Sequence, residues 1–164
     1  MTTATSGLKK AVCSSRHRAA GWLVAAFGVC ISPMAHTEVN LDRLWVRAMP
    51  PTQTMTAAYG QLTNVGDAPL TITGASSDIA ADTTLHESRQ TGDRMTMVAV
   101  TDKTLAPGEV LELKPGGFHL MLMGIKEMPA EGSEVEICVL SDDDRACATA
   151  NVQRDADSMN HHHH

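Results

Sequence analysis

Aromatic side chains are scarce in this chain of 164 residues, which has two Trp, one Tyr and two Phe. Trp22 and Phe27 fall in an N-terminal apolar segment, so the body keeps only Trp45, Tyr59 and Phe118. Its core must come from Leu, Val, Ile, Ala and Met. Cations are also in the minority, 13 Lys and Arg against 19 Asp and Glu, which excludes a chain built to bind nucleic acid or an anionic membrane surface. Long hydrophobic runs are missing. The longest, Ala19 to Ile31, has 13 residues, short of the roughly 20 that a membrane-spanning helix needs. There is no Gly-x-Ser-x-Gly elbow, no His-Glu-x-x-His and no Gly-rich phosphate loop, so no enzymatic activity is expected.

Residues 1–35 carry Lys9, Lys10, Arg16 and Arg18 with no acidic residue, and the apolar run follows them. This is the layout of a secretory signal. Cleavage is expected after Ala35, although Pro33 departs from the small-x-small preference. Cys30 raises a lipoprotein reading, but Phe27-Gly28-Val29 before it lacks the leucine and small residues of such a signal, so cleavage is preferred. Cys13 and Cys30 then leave with the leader. Its removal takes four basic and no acidic residues, leaving nine against 19 and a formal charge of −10. The expectation is one exported domain over residues 36–153, without stable membrane insertion, followed by a disordered tail at 154–164.

No stretch of that domain sustains a helical period. Short strands alternate with turns every 8 to 12 residues or so, the pattern of a sandwich or barrel. Strands are predicted at 44–48, 57–63, 70–75, 83–88, 95–100, 109–113, 119–123, 134–140 and 146–152. Turns rich in Gly, Pro, Asn and Asp lie at 64–69, 106–108 and 114–117. In the last hairpin, a turn at Ser141–Asp144 sets Leu140 against Arg145 and Cys138 opposite Cys147. Export into an oxidising compartment favours a structural disulfide there over a redox or metal-binding thiol pair, since Cys-x8-Cys is no redox motif.

The chemistry concentrates between Leu85 and Met123, where His86, Met97, His119 and Met121 form a soft set of two imidazoles and two thioethers. His119 and Met121 are two residues apart on a strand and share a face, while Phe118, Leu120 and Leu122 point to the core. A hairpin with Gln90-Thr91-Gly92-Asp93 as its turn sets His86 directly opposite Met97. Thioether sulfur is uncharged and polarisable and selects Cu(I), whereas zinc sites use thiolate, imidazole and carboxylate. Met95 and Met123 lie on the same strand faces and compete for the ligand role. Met49 and Met55 flank Pro50-Pro51 and are candidates for the rim. Glu87 reads as a surface charge on the opposite face from His86.

His-x10-Met-x21-His-x-Met, read from His86 to Met121, resembles the copper-binding motif of the PCu(A)C family of periplasmic copper chaperones. Trp-Val-Arg-Ala at 45–48, Ala-Ala-Tyr at 57–59, Gly-Ala-Ser-Ser at 74–77, Leu-His-Glu at 85–87 and Leu-Lys-Pro-Gly-Gly-Phe-His-Leu-Met-Leu-Met-Gly at 113–124 are similar to that family too. The likeness covers 44–152, with Phe118 where Tyr is common. It implies an all-β, cupredoxin-like Greek-key β-sandwich, monomeric and periplasmic, that carries Cu(I) for assembly of the CuA centre in cytochrome c oxidase subunit II. A Sco-type thiol protein is an implied partner.

Other readings are copper storage or resistance, supply to another cuproprotein, and a metal-free sandwich used for protein contacts. A blue-copper site needs a thiolate beside two histidines, and Cys138 and Cys147 are far from the His/Met cluster in the strand layout. His161 to His164 end the chain. They read as a native tail rather than a tag, because the signal is retained and no linker precedes them, and their imidazoles suit Cu(II).

Overall fold

A computed structural model describes residues 38–142 and 144–154. The expected signal segment and the histidine tail lie outside the described residues. Ten strands follow one another: β1 Val39–Arg47, β2 Met55–Asn64, β3 Leu70–Ser77, β4 Asp82–Thr91, β5 Arg94–Ala99, β6 Lys103–Leu105, β7 Val110–Leu113, β8 Phe118–Met123, β9 Glu134–Ser141 and β10 Arg145–Gln153. No helix occurs among the described residues. Nine strands answer to the predicted ones, seven of them longer, β5 shifted by one residue and β7 one residue shorter. The tenth, β6, has three residues, too few to show an alternating pattern.

The sheet folds back on itself. β4 pairs with β8, β8 with β2, β2 with β1, β1 with β10, β10 with β9, β9 with β3, and β3 returns to β4 through Ala75 and Thr83. The result is an all-β, cupredoxin-like sandwich closed at both edges, with β5, β6 and β7 added on its flanks. Alternation along each strand sends one set of side chains inward. Val46, Leu62, Leu105, Leu120, Leu122 and Ile137 are wholly buried there, each contributing about 1.5–3 kcal/mol. Every strand except β5 supplies the core, and all six residues of β5 are exposed. The β4–β5 hairpin therefore projects from the body.

Local chemistry explains the joints. Asn64 is fully buried, and its amide nitrogen donates to the carbonyls of Ala68 and Leu105 while its oxygen accepts from the Gly66 N–H, so one side chain clamps the 64–69 turn. In β1 a bulge between Asp42 and Trp45 holds Arg43 at φ 50°. Gly60 faces that bulge at φ 148°, where a Cβ would come within 2.7 Å of Leu44 Cδ2 and 2.9 Å of the Asp42 carbonyl. Only glycine fits. Between β9 and β10, Leu140 faces Arg145, and Cys138 faces Cys147 and is joined to it by a disulfide.

One register differs from the sequence-based expectation. Thr91 pairs with Arg94, leaving Gly92-Asp93 as a two-residue turn, and Ser88, not His86, lies opposite Met97. Gly92 at φ 62° takes the first central position of a tight hairpin turn whose twist suits the flanking strands, which a four-residue loop does not match as well. Because the shift is two residues, side-chain parity survives. His86 and Met97 still share a face, now on a diagonal.

Candidate metal centre

The outer face of β5, β4, β8, β2 and β1 carries the site in successive rungs. His86 on β4 pairs with His119 on β8, their ring centroids 6.0 Å apart. That separation is of the size two imidazoles need to hold one ion between them, with metal–nitrogen bonds of about 2 Å added to the ring radii. On the next rung Met121 lies between Thr84 of β4 and Ala57 of β2. Met97 on β5 pairs with Ser88, one rung to the other side of the histidines from Met121, and is 64% exposed. All four predicted ligands thus occupy one face, three in the rigid sheet and one on the projecting strand.

The imidazoles are held differently. His119 is only 3% exposed, and its Nδ1–H donates to the Gly117 carbonyl at 3.0 Å, which leaves Nε2 with its lone pair. The same carbonyl accepts the Ser88 N–H at 3.0 Å, so the glycine turn before β8 fixes both the ring and the neighbouring strand. His86 Nε2 lies 2.9 Å from the Thr84 hydroxyl, while its Nδ1 is buried without a hydrogen-bond partner. An unsatisfied buried polar atom costs about 1–3 kcal/mol. A bound cation removes that cost, so the donor set fits a soft metal. Burial first, and then the His119 imidazole, holds His86 below the usual histidine pKa, while Asp82 opposes them. Both effects favour the neutral ring, the form that ligates.

Behind His119 stands an aromatic wall. Tyr59 has its ring 6.3 Å from that of His119 and 4.5 Å from that of Trp45, with the Arg47 guanidinium 5.3 Å over the phenol. Trp45, Ala57 and Tyr59 form a small buried cluster of their own, against which Met121 packs. Burial raises the Tyr59 pKa and Arg47 opposes it.

A family model described as "Putative lipoprotein LpqE-like" matches residues 39–152. The chain belongs to the LpqE-like family. A curated relative, "Putative lipoprotein Lxx21020" of Leifsonia xyli subsp. xyli, is 30% identical over 123 residues, 74% of this chain and 73% of that one. Among solved structures, "Solution structure of CuI-DR1885 from Deinococcus Radiodurans" is 32% identical with a TM-score of 0.56, over 80% of this chain and 87% of the other. "Copper-bound PCuAC domain from PmoF2" has a TM-score of 0.62 at 20% identity, covering 74% of this chain and 97% of that domain. The LpqE-like chain is thus of the PCu(A)C type that its motif resembles.

In this LpqE-like sandwich Met95 and Met123 do lie on the site's face, as strand parity requires, and so does Met55, which pairs with Met123. Met49 instead packs against the main core. Glu87 turns away from His86 and binds Arg89, its carboxylate 2.6 Å from the guanidinium. Sequence reasoning missed the roles of Thr84, Gly117, Tyr59 and Trp45. Thr84 was findable, being two residues before His86 on one strand; the aromatic wall depends on pairings between distant strands. Two surface clefts among the described residues, one lined by Ile79, Lys126 and Met128 and another by Met49, Pro51 and Glu131, lie apart from both histidines. The site is an open patch on a sheet.

Proposed function

We propose that the chain is an exported, non-enzymatic copper chaperone that carries one Cu(I) on His86, Met97, His119 and Met121. The observation that carries this reading is the His86–His119 rung, with one buried nitrogen lacking any partner and thioethers on the adjacent rung and strand. Four neutral ligands leave the ion's single positive charge uncompensated, so the complex yields copper readily to thiolates. An open patch with one ligand on an exposed strand suits hand-over between proteins, since an acceptor can replace Met97 before the buried His119 lets go. The copper forms named among the solved relatives support the cargo. The recipient we assign is the CuA centre of cytochrome c oxidase subunit II, with a Sco-type thiol protein beside it.

The test is transfer from the Cu(I)-loaded mature chain to a soluble CuA domain, with and without a reduced Sco-type partner. Appearance of the purple mixed-valence CuA spectrum on one-electron oxidation of the acceptor with ferricyanide after transfer, only when the chain was loaded, supports the assignment; retention of copper against that acceptor, with release to another cuproprotein, replaces it with general supply or storage. The tail at His161–His164 is assigned a Cu(II) equivalent, and deleting it removes that equivalent while sparing Cu(I) if the assignment holds. The description of the family as lipoproteins favours a second reading of the leader, in which Cys30 is lipidated rather than lost. The intact mass of the exported chain decides between this and cleavage after Ala35.

A further inference from the structure

The methionines not used by the copper reading are placed unevenly. Among the described residues six large apolar side chains are exposed, and two of them, Met55 and Met95, lie on the face of the two histidines with the proposed ligand Met97, itself exposed. Met123, half-buried, sits one rung beyond Met121, flanked by Met55 of β2 on one side and Asp82 of β4 on the other. A methionine that fills a core gap has no reason to stand 47% exposed, as Met55 does, opposite another methionine. Cross-strand partners have Cβ atoms about 5 Å apart, within easy reach of two flexible thioethers. Met121 packs beside Ala57, the small residue between Met55 and Tyr59 on this face, with Met123 next along β8.

We propose that Met55, Met121 and Met123 form a second, weaker Cu(I) site, a staging position one step from the ligands His86 and His119 with Met121 shared between the two. Three thioethers suit Cu(I) and no harder biological metal. The Asp82 carboxylate supplies the negative charge that the main site lacks, and its field already reaches His86. Successive rungs lie about 7 Å apart, two residues of strand rise. Copper thus moves from the exposed Met55 edge to the histidines by exchanging thioethers around Met121, one ligand replaced at a time and never as a free ion. This inference rests on the copper reading above and gives that site an entry.

The experiment is a Cu(I) titration, under reductant, of the chain from residue 36 labelled with 13C at the methionine methyl groups and 15N at the histidine rings. The first equivalent is expected to shift Met97, Met121 and the histidine ring signals; further Cu(I) is expected to shift Met55 and Met123 in fast exchange. The double variant Met55→Ile, Met123→Ile should lose the second response, keep first-equivalent affinity within about twofold, and load severalfold more slowly from a Cu(I) chelate. Silence of Met55 and Met123 up to three equivalents, with a normal first equivalent, overturns this inference alone. Absence of any response at His86, Met97 and His119 sinks the main site instead. Loading of the double variant at the parent rate also overturns the staging role.

Discussion

Neighbours along β8 should separate copper binding from folding. Met121 faces outward between Thr84 and Ala57 and is half-buried, whereas Leu120 beside it points into the core and is 0% exposed. Met121→Ile keeps apolar bulk and suits a strand, so its stability cost should stay under about 1.5 kcal/mol. It removes one of the four proposed ligands. Leu120→Ala deletes three carbons from a packed site with no room to collapse, for which about 2–5 kcal/mol is expected. With a urea dependence near 2 kcal/mol per M, that lowers the unfolding midpoint by about 1–2.5 M. Trp45, 3% exposed and the only tryptophan after residue 35, reports unfolding by its fluorescence in the chain from residue 36. Competition with a Cu(I) chelator measures affinity on the same samples. Met121→Ile should lose affinity at an almost unchanged midpoint, and Leu120→Ala should do the reverse while it remains folded. A Met121→Ile variant that unfolds as early as Leu120→Ala, or binds Cu(I) like the parent, would refute the placement of Met121 on an outward ligand face.

Burial and the His119 ring hold His86 below the ordinary histidine value of about 6.5, so the unfolded chain takes up a proton there before the folded one does. The stability tied to a neutral His86 is therefore complete above pH 6.5 and is lost as pH falls below it; the contribution of His86 to Cu(I) affinity should follow the same direction, and a gain in affinity on acidification would contradict this. Changing both Cys138 and Cys147 to Ser should cost about 2–3 kcal/mol, as expected for a short closed loop, with Cu(I) affinity unchanged in the chelator assay. Gly60→Ala places a Cβ against Leu44 and the Asp42 carbonyl at a φ that only glycine favours, so a loss of about 2–5 kcal/mol in urea unfolding is expected, and a stability change under 1 kcal/mol would refute the tight bulge.

The sandwich was legible because alternation and turn chemistry act locally. Asn64-Val65-Gly66 and Lys114-Pro115-Gly116-Gly117 marked their turns, and the four-residue spacing between Leu140 and Arg145 set Cys138 opposite Cys147. Parity along β8 likewise set His119 and Met121 on one face before any fold was in hand. Pairing between distant strands was not legible. That His86 stands opposite His119, and that Tyr59 and Trp45 close the wall behind them, follows from β2, β4 and β8 meeting in one sheet, which no local pattern encodes. The two-residue turn at Gly92-Asp93 was legible in principle, since Gly followed by Asp suits a tight hairpin. A longer loop with His86 directly opposite Met97 was the competing choice, and the backbone twist decided against it.

X-ray absorption at the copper edge of the Cu(I)-loaded mature chain tests the central claim most directly. The account predicts one Cu(I) per chain at low loading, with two nitrogen and two sulfur neighbours, and with one sulfur fewer in Met97→Ile and in Met121→Ile. A spectrum of nitrogen or oxygen neighbours alone, or a sulfur count that neither substitution changes, would contradict it.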